Sequence, residues 1–169
     1  MPLNASLAIG TSGTLTSPLD LTTASAPVTV RAATTWQNGT GAGRADRMFS
    51  DRRQLAASAT EDLDLAGVLL DAFGAAITWA RIKGLYIRAA DTNVNNVVVG
   101  AATSNAWSTL LGATGTITLR PGAAIGVATG AADATAYAVT AGTGDILKVA
   151  NSGAGTAVSY DIVIIGASA

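Results

Sequence analysis

The chain has 169 residues, with ten lysines and arginines against eleven aspartates and glutamates, and it contains neither histidine nor cysteine. Without histidine there is no imidazole base and no Ser-His-Asp triad, and without cysteine there is no disulfide or thiolate chemistry. A net charge of −1 gives no basic field that would attract nucleic acid. We therefore expect one domain with a structural or binding role, no enzymatic activity, no cofactor or metal, and no nucleic-acid partner.

Residues 1–43 are predicted to form an extended N-terminal arm, and residues 44–169 the folded domain. The arm is rich in Thr, Ser and Ala, and its only charged side chains are Asp20 and Arg31. A disordered tail is the alternative, but such tails usually carry more charge, and the apolar content of this segment favours an arm that lies on a neighbouring subunit. Within the arm, residues 27–32 have a strand pattern, and residues 38–43 form a glycine-rich turn.

The N-terminus has no basic region followed by an apolar run, so we expect no secretory leader. No apolar run approaches the ~18 residues of a spanning helix, so we expect no membrane partner. This pattern favours a protein made in the cytoplasm and then incorporated into an assembly.

A dense group of charges follows the arm. Four arginines and two aspartates, with opposite signs interleaved, occur between residues 44 and 53: Arg44, Asp46, Arg47, Asp51, Arg52 and Arg53. The run is predicted to be a loop. Either these side chains pair locally on a solvated surface, or they form a salt-bridge patch between subunits, since arginine suits fixed interface contacts.

From residue 54 onward, apolar and polar residues alternate with the period of a β-strand. We expect eight to ten short strands, including a long one over residues 77–88 in which Gly84 marks a bulge or a close backbone approach. Residues 97–99 are apolar on both faces and predict a central strand. Residues 68–74 predict a single helical turn closed by Gly74. The fold class is all-β: an antiparallel β-sandwich, with the jelly roll as the leading topology.

Few side chains are candidates for chemistry or ligand binding. Glu61, Asp62 and Asp64 are close in sequence, but they are better explained as a solvated strand face than as a catalytic pair or a calcium site. Trp107 follows the loop-like residues 104–106 and is the best candidate for an exposed aromatic side chain that stacks on a sugar.

Three segments carry a resemblance to a known group of proteins. They are residues 47–58 (RMFSDRRQLAAS), residues 79–87 (WARIKGLYI), and the ending formed by residues 140–147 (TAGTGDIL) and 160–166 (YDIVIIG). These segments resemble small virion proteins of tailed bacteriophages, in particular the head decoration, or cement, proteins built on a jelly roll. The resemblance covers roughly residues 43–169 and includes no catalytic motif.

The resemblance implies a protein made in the host cytoplasm that forms a homodimer or homotrimer and binds the outside of the capsid. Its partners would be the major capsid protein and copies of itself, with the arginine-rich run at the interface between subunits or with the capsid. A second hypothesis is a tail- or fibre-associated sandwich that binds host-surface carbohydrate through Trp107. A depolymerase is the third and least favoured.

Overall fold

A computed structural model describes residues 2–169 as an almost entirely β protein. Its elements, in chain order, are β1 (Ala5–Pro18), β2 (Thr23–Asn38), β3 (Arg44–Ala45), β4 (Arg47–Leu55), β5 (Thr60–Asp64), β6 (Arg81–Ala89), β7 (Val97–Gly100), α1 (Ser108–Leu111), β8 (Thr116–Leu119), β9 (Ala124–Ala128), β10 (Tyr137–Ala138), β11 (Ile146–Asn151) and β12 (Val158–Ala167). The predicted all-β fold with several antiparallel sheets is confirmed.

Two sheets form the body of the molecule. One has the order β10-β6-β12-β4, with β9 also paired to β6, and the other has the order β5-β11-β7-β8. Every pairing within these sheets is antiparallel. Leu63, Val99 and Val149 from one sheet share a single buried cluster with Ile87 and Ile162 from the other. The inward faces of the two sheets therefore bury one common core, as in a sandwich.

The third sheet is a long hairpin formed by β1 and β2. The two strands pair without interruption from Ala5 opposite Trp36 to Pro18 opposite Thr23. At ~3.4 Å per residue, these fourteen pairs give a ribbon ~48 Å long. At its base, β2 continues into the parallel partner β3 through the turn at residues 38–43. The segment expected to be a single extended arm thus doubles back on itself.

Several local predictions are confirmed. Residues 27–32 lie within β2, and residues 97–99 lie within β7, between β11 and β8. The register of β12 against β6 shifts between Ile165 and Gly166, which face Gly84 and Ile82, so that Lys83 has no residue opposite it. Gly84 also lies under a close neighbour, because a Cβ built on it would be only 3.0 Å from Trp36 Cη2. The bulge and the close approach therefore occur together.

Other local predictions are wrong. Residues 68–74 form turns instead of a helical turn, because the Asp71 carboxylate accepts hydrogen bonds from the backbone N–H groups of Phe73 and Ala75, both at 2.9 Å. The strand expected from residue 77 begins at Arg81. The arginine-rich run is a strand over most of its length and not a loop, because it pairs with β12 from Arg47 to Leu55.

Candidate functional site

The base of the hairpin is fixed to the body by a buried aromatic ring. Trp36 is fully buried, together with Ala5, Ala45 and Ile165. Its ring covers Gly84, where a side chain would collide with it. Because the contact joins β2 to β6 of the body, it sets the direction in which the hairpin leaves the sandwich.

A buried lysine holds the turn that follows the hairpin. The Lys83 side chain is fully buried, and its ammonium donates hydrogen bonds to the carbonyl oxygens of Thr40, Gly41 and Arg44. Burial lowers the pKa of Lys83, and the nearby charge of Arg81 lowers it further. The bulge that leaves Lys83 without a partner in the sheet frees its side chain to reach this turn.

The two faces of the hairpin differ in chemistry. Paired residues of an antiparallel ribbon lie on the same face. One face carries Leu7, Ile9, Leu15, Val28 and Val30, together with alanines and other small residues. The opposite face carries Arg31 and residues such as Ser12, Thr14, Thr16, Ser25 and Thr29. We call the first the apolar face of the hairpin and the second its polar face.

Only the base of the apolar face is covered by the body. Ala5 and Trp36 are buried there, and a Cβ on Gly126 of β9 would lie 3.3 Å from Ile9 and 3.9 Å from Leu7. Beyond these contacts Leu15 is 78% exposed, Val28 58% and Val30 60%. We call residues 11–30 the distal hairpin. The apolar face of the distal hairpin continues the part that packs on the body, but no residue of the described chain covers it.

The arginine-rich run lies at an edge of the body, since β4 is the last strand of its sheet. Arg52 forms two hydrogen bonds with Asp161, at 2.6 and 3.1 Å, which raise the pKa of Arg52 and lower that of Asp161. Arg53 contacts Asp51 at 2.9 Å and Glu61 at 2.8 Å. Local pairing, one of the two interpretations of this run, is therefore extensive.

The start of the run is more open. Asp46 accepts hydrogen bonds from the backbone N–H and the hydroxyl of Ser168, at 2.9 and 2.6 Å, and contacts Arg47 at 3.2 Å. Arg44 donates to the carbonyl oxygen of Asn38. Arg44 on β3 and Arg47 and Arg52 on β4 remain exposed, so these two strands present three cations to the solvent.

Glu61 is not part of a solvated strand face, which corrects that prediction. Its carboxylate is half-buried and accepts hydrogen bonds from Arg53 of β4 and from the Tyr160 hydroxyl of β12. Burial and this carboxylate raise the pKa of Tyr160. Because Glu61 lies on β5, the contacts connect the two sheets. Asp64 instead accepts the backbone N–H of Ala66 at 2.8 Å. The described residues contain no group of three or more side chains placed to hold a metal ion.

Trp107 is buried, so the prediction of an exposed aromatic side chain is wrong. It is only 4% exposed, and its indole N–H donates to the carbonyl oxygen of Ala138 at 2.9 Å. Its ring meets Tyr137 edge to face, with the ring centroids 6.2 Å apart. The backbone N–H of Trp107 bonds to Ile146, which draws the loop against the core. A loop-like sequence context does not show which way a side chain points.

No helix between residues 2 and 169 is long and apolar enough to cross a membrane. Comparisons with protein-family models, with curated proteins and with solved structures find no match to this chain.

Proposed function

We propose that this chain is a structural virion protein that decorates a phage capsid and stabilises it by bridging capsid subunits. The observation that carries the proposal is the distal hairpin. It projects from the body, its base is packed on the body through Trp36, and its apolar face is uncovered. An isolated two-stranded ribbon is marginally stable in water, and an uncovered apolar face on such a ribbon is a natural contact site. A projecting hairpin with an uncovered apolar face is typical of a protein that functions as a subunit of a larger assembly. The resemblance of residues 43–169 to cement proteins supports the capsid as that assembly.

The surface formed by β3 and β4, which carries Arg44, Arg47 and Arg52, is the proposed contact with the major capsid protein. Arg47 and Arg52 each pair with one aspartate of the same chain, and the guanidinium groups have further donors free for an acidic partner. Charged residues also protect an edge strand from unwanted pairing, which is the simpler role for the same side chains. Each contact is weak, but copies on a repeating lattice gain strength through effective concentration.

We further infer a jelly-roll topology for the body. Four antiparallel pairs nest along the chain: β4 with β12, β5 with β11, β6 with β9, and β7 with β8. Pairing of β12 with β6 and of β11 with β7 then assembles these pairs into two sheets. Nested antiparallel pairs that assemble into two facing sheets are characteristic of a jelly roll. This pattern supports the resemblance to jelly-roll cement proteins.

The test mixes the purified chain with capsids that lack it. We expect the chain to sediment with the shells, to appear on their outer surface in electron cryomicroscopy, and to raise the temperature at which they rupture. Replacing both Arg44 and Arg47 with Glu should weaken binding at least tenfold. Arg120→Glu, at an exposed arginine after β8, is the matched control and should bind normally.

Failure of the unmodified chain to bind shells would contradict the proposal. Equal binding by the arginine variants would reject the proposed contact and leave the edge-protection role. The carbohydrate-binding hypothesis required an exposed Trp107 side chain, and Trp107 is buried.

A further inference from the structure

We propose that the distal hairpins of two copies of this chain pack against each other, apolar face to apolar face. The uncovered part of that face runs from Thr11 to Ser17 on β1 and from Ala24 to Val30 on β2. Leu15, Val28 and Val30 provide its large side chains, all more than half exposed. Alanine, glycine, serine and threonine fill the remaining positions, so a second ribbon can approach closely.

Charge favours a second copy as the occupant. The apolar face has no ionisable side chain along its whole length, since Arg31 points to the polar face and Asp20 lies in the tip between the strands. Packing this face on an identical one therefore buries no charge, and burial of an unpaired charge is the main penalty at such contacts. The backbone groups that point between β1 and β2 are already bonded within each ribbon.

The base of the same hairpin already packs in this way. There, the apolar face lies on the outer side of a β-sheet, with Leu7 and Ile9 over Gly126 and Trp36 over Gly84. The distal part continues this surface without a sheet beneath it. A second ribbon at the ~10 Å spacing of stacked sheets would supply that layer and convert two marginal ribbons into a four-stranded sandwich.

The available area indicates a reversible contact. The distal face is ~24 Å long and ~10 Å wide, as expected for two strands of seven residues at ~3.4 Å per residue, so two copies together bury well under the ~1,200 Å² of a small stable interface. We expect association only at high protein concentration in free solution, with copies held side by side on a lattice associating more strongly. The contact goes beyond the proposed function and is measured without capsids, so either can fail alone.

Cysteine cross-linking tests the proposal sharply, because the chain has no cysteine of its own. Val28→Cys places a thiol on the apolar face, and Thr29→Cys places one on the polar face of the same strand, also exposed. Under mild oxidation at high protein concentration, the Val28→Cys chain should form disulfide-linked dimers at least tenfold faster than Thr29→Cys. Equal rates would overturn the proposal.

Sedimentation velocity provides a second measurement that does not depend on the position of a thiol. Val30→Asp introduces a charge on the apolar face, and Thr29→Asp introduces one on the polar face. The first should abolish concentration-dependent association, and the second should leave it unchanged. No association of the unmodified chain at millimolar concentration would reject the contact. Preferential cross-linking of Val28→Cys to a second chain carrying Phe73→Cys would overturn it in favour of a hairpin-on-body contact.

Discussion

The body and the hairpin of this protein use similar amino acids but bury them to different extents. Both are rich in β-branched residues, alanine and glycine. In the body, Ile87, Val97, Val149 and Ile162 are at most 1% exposed, whereas Val28 and Val30 of the hairpin are 58% and 60% exposed. Two sheets face each other in the body, while the distal hairpin has one layer. Strand pairing alone therefore fixes backbone geometry, and only a second layer provides burial.

The largest effect is expected where the two regions join. Trp36→Ala should lower the free energy of unfolding by about 3–5 kcal/mol, because it removes a fully buried aromatic ring and leaves a cavity over Gly84. The hairpin should also detach from the body. Trypsin should then cut at Arg31, the only lysine or arginine among residues 1–43, much faster than in the unmodified chain. Unchanged protection at Arg31 would mean that the hairpin is held elsewhere.

The second prediction compares truncation of a buried side chain in the body with truncation of an exposed one in the hairpin. Ile162→Ala should cost about 2–5 kcal/mol, as truncations of buried aliphatic side chains do. Val28→Ala should change the free energy of unfolding by less than about 0.5 kcal/mol at low protein concentration, because its side chain is mostly in water. Urea unfolding monitored by tryptophan fluorescence measures both values. Similar costs at the two positions would show that the distal hairpin is already covered in the free protein.

The third prediction concerns the buried ammonium. Lys83→Met keeps a long side chain but removes the donor for the carbonyl oxygens of Thr40, Gly41 and Arg44, so we expect a loss of about 1–3 kcal/mol. Hydrogen exchange should become faster in residues 38–45. Lys148→Met, in β11, is the control and should leave exchange in that turn unchanged. Equal exchange in both variants would contradict the role of Lys83 in holding the turn.

The smallest effect is expected at the surface pair of Arg52 and Asp161. Because the folded-state pKa of Asp161 is lowered, its contribution to stability is present above the unfolded pKa near 3.8 and is lost as the pH falls through the lower folded value. Asp161→Asn should therefore be slightly less stable than the unmodified chain at pH 7. That difference should shrink as the pH falls below 3.8 and disappear once the pH is below the folded-state pKa of Asp161. A constant difference across this range would point to a cause other than the ion pair.

Alternation along the chain determined much of the fold. Period-two patterns identified most strands of the body, with β4 the main exception, and the apolar run at Val97–Val99 identified a central strand. The Pro-Gly pair at residues 121–122 is typical of a turn, and Gly122 has the positive φ of 79° that such a turn requires. The interleaved charges of residues 44–53 indicated local pairing. These features are local, so neighbouring residues are enough to specify them.

Contacts between distant residues were decided only by the tertiary structure. Residues 77–80 fit a strand pattern, yet the ladder begins at Arg81, because the backbone N–H groups of Ile77 and Trp79 donate to the carbonyl oxygens of Leu69 and Leu65 instead of to a neighbouring strand. Trp107 has a loop-like context, but the carbonyl oxygen of Ala138 lies where its indole can bond. Lysine is a residue type usually found at the surface, but the bulge and the turn at residues 40–44 bury Lys83. Burial depends on which surfaces meet, and a period-two pattern gives the two faces of a strand without saying what covers either one.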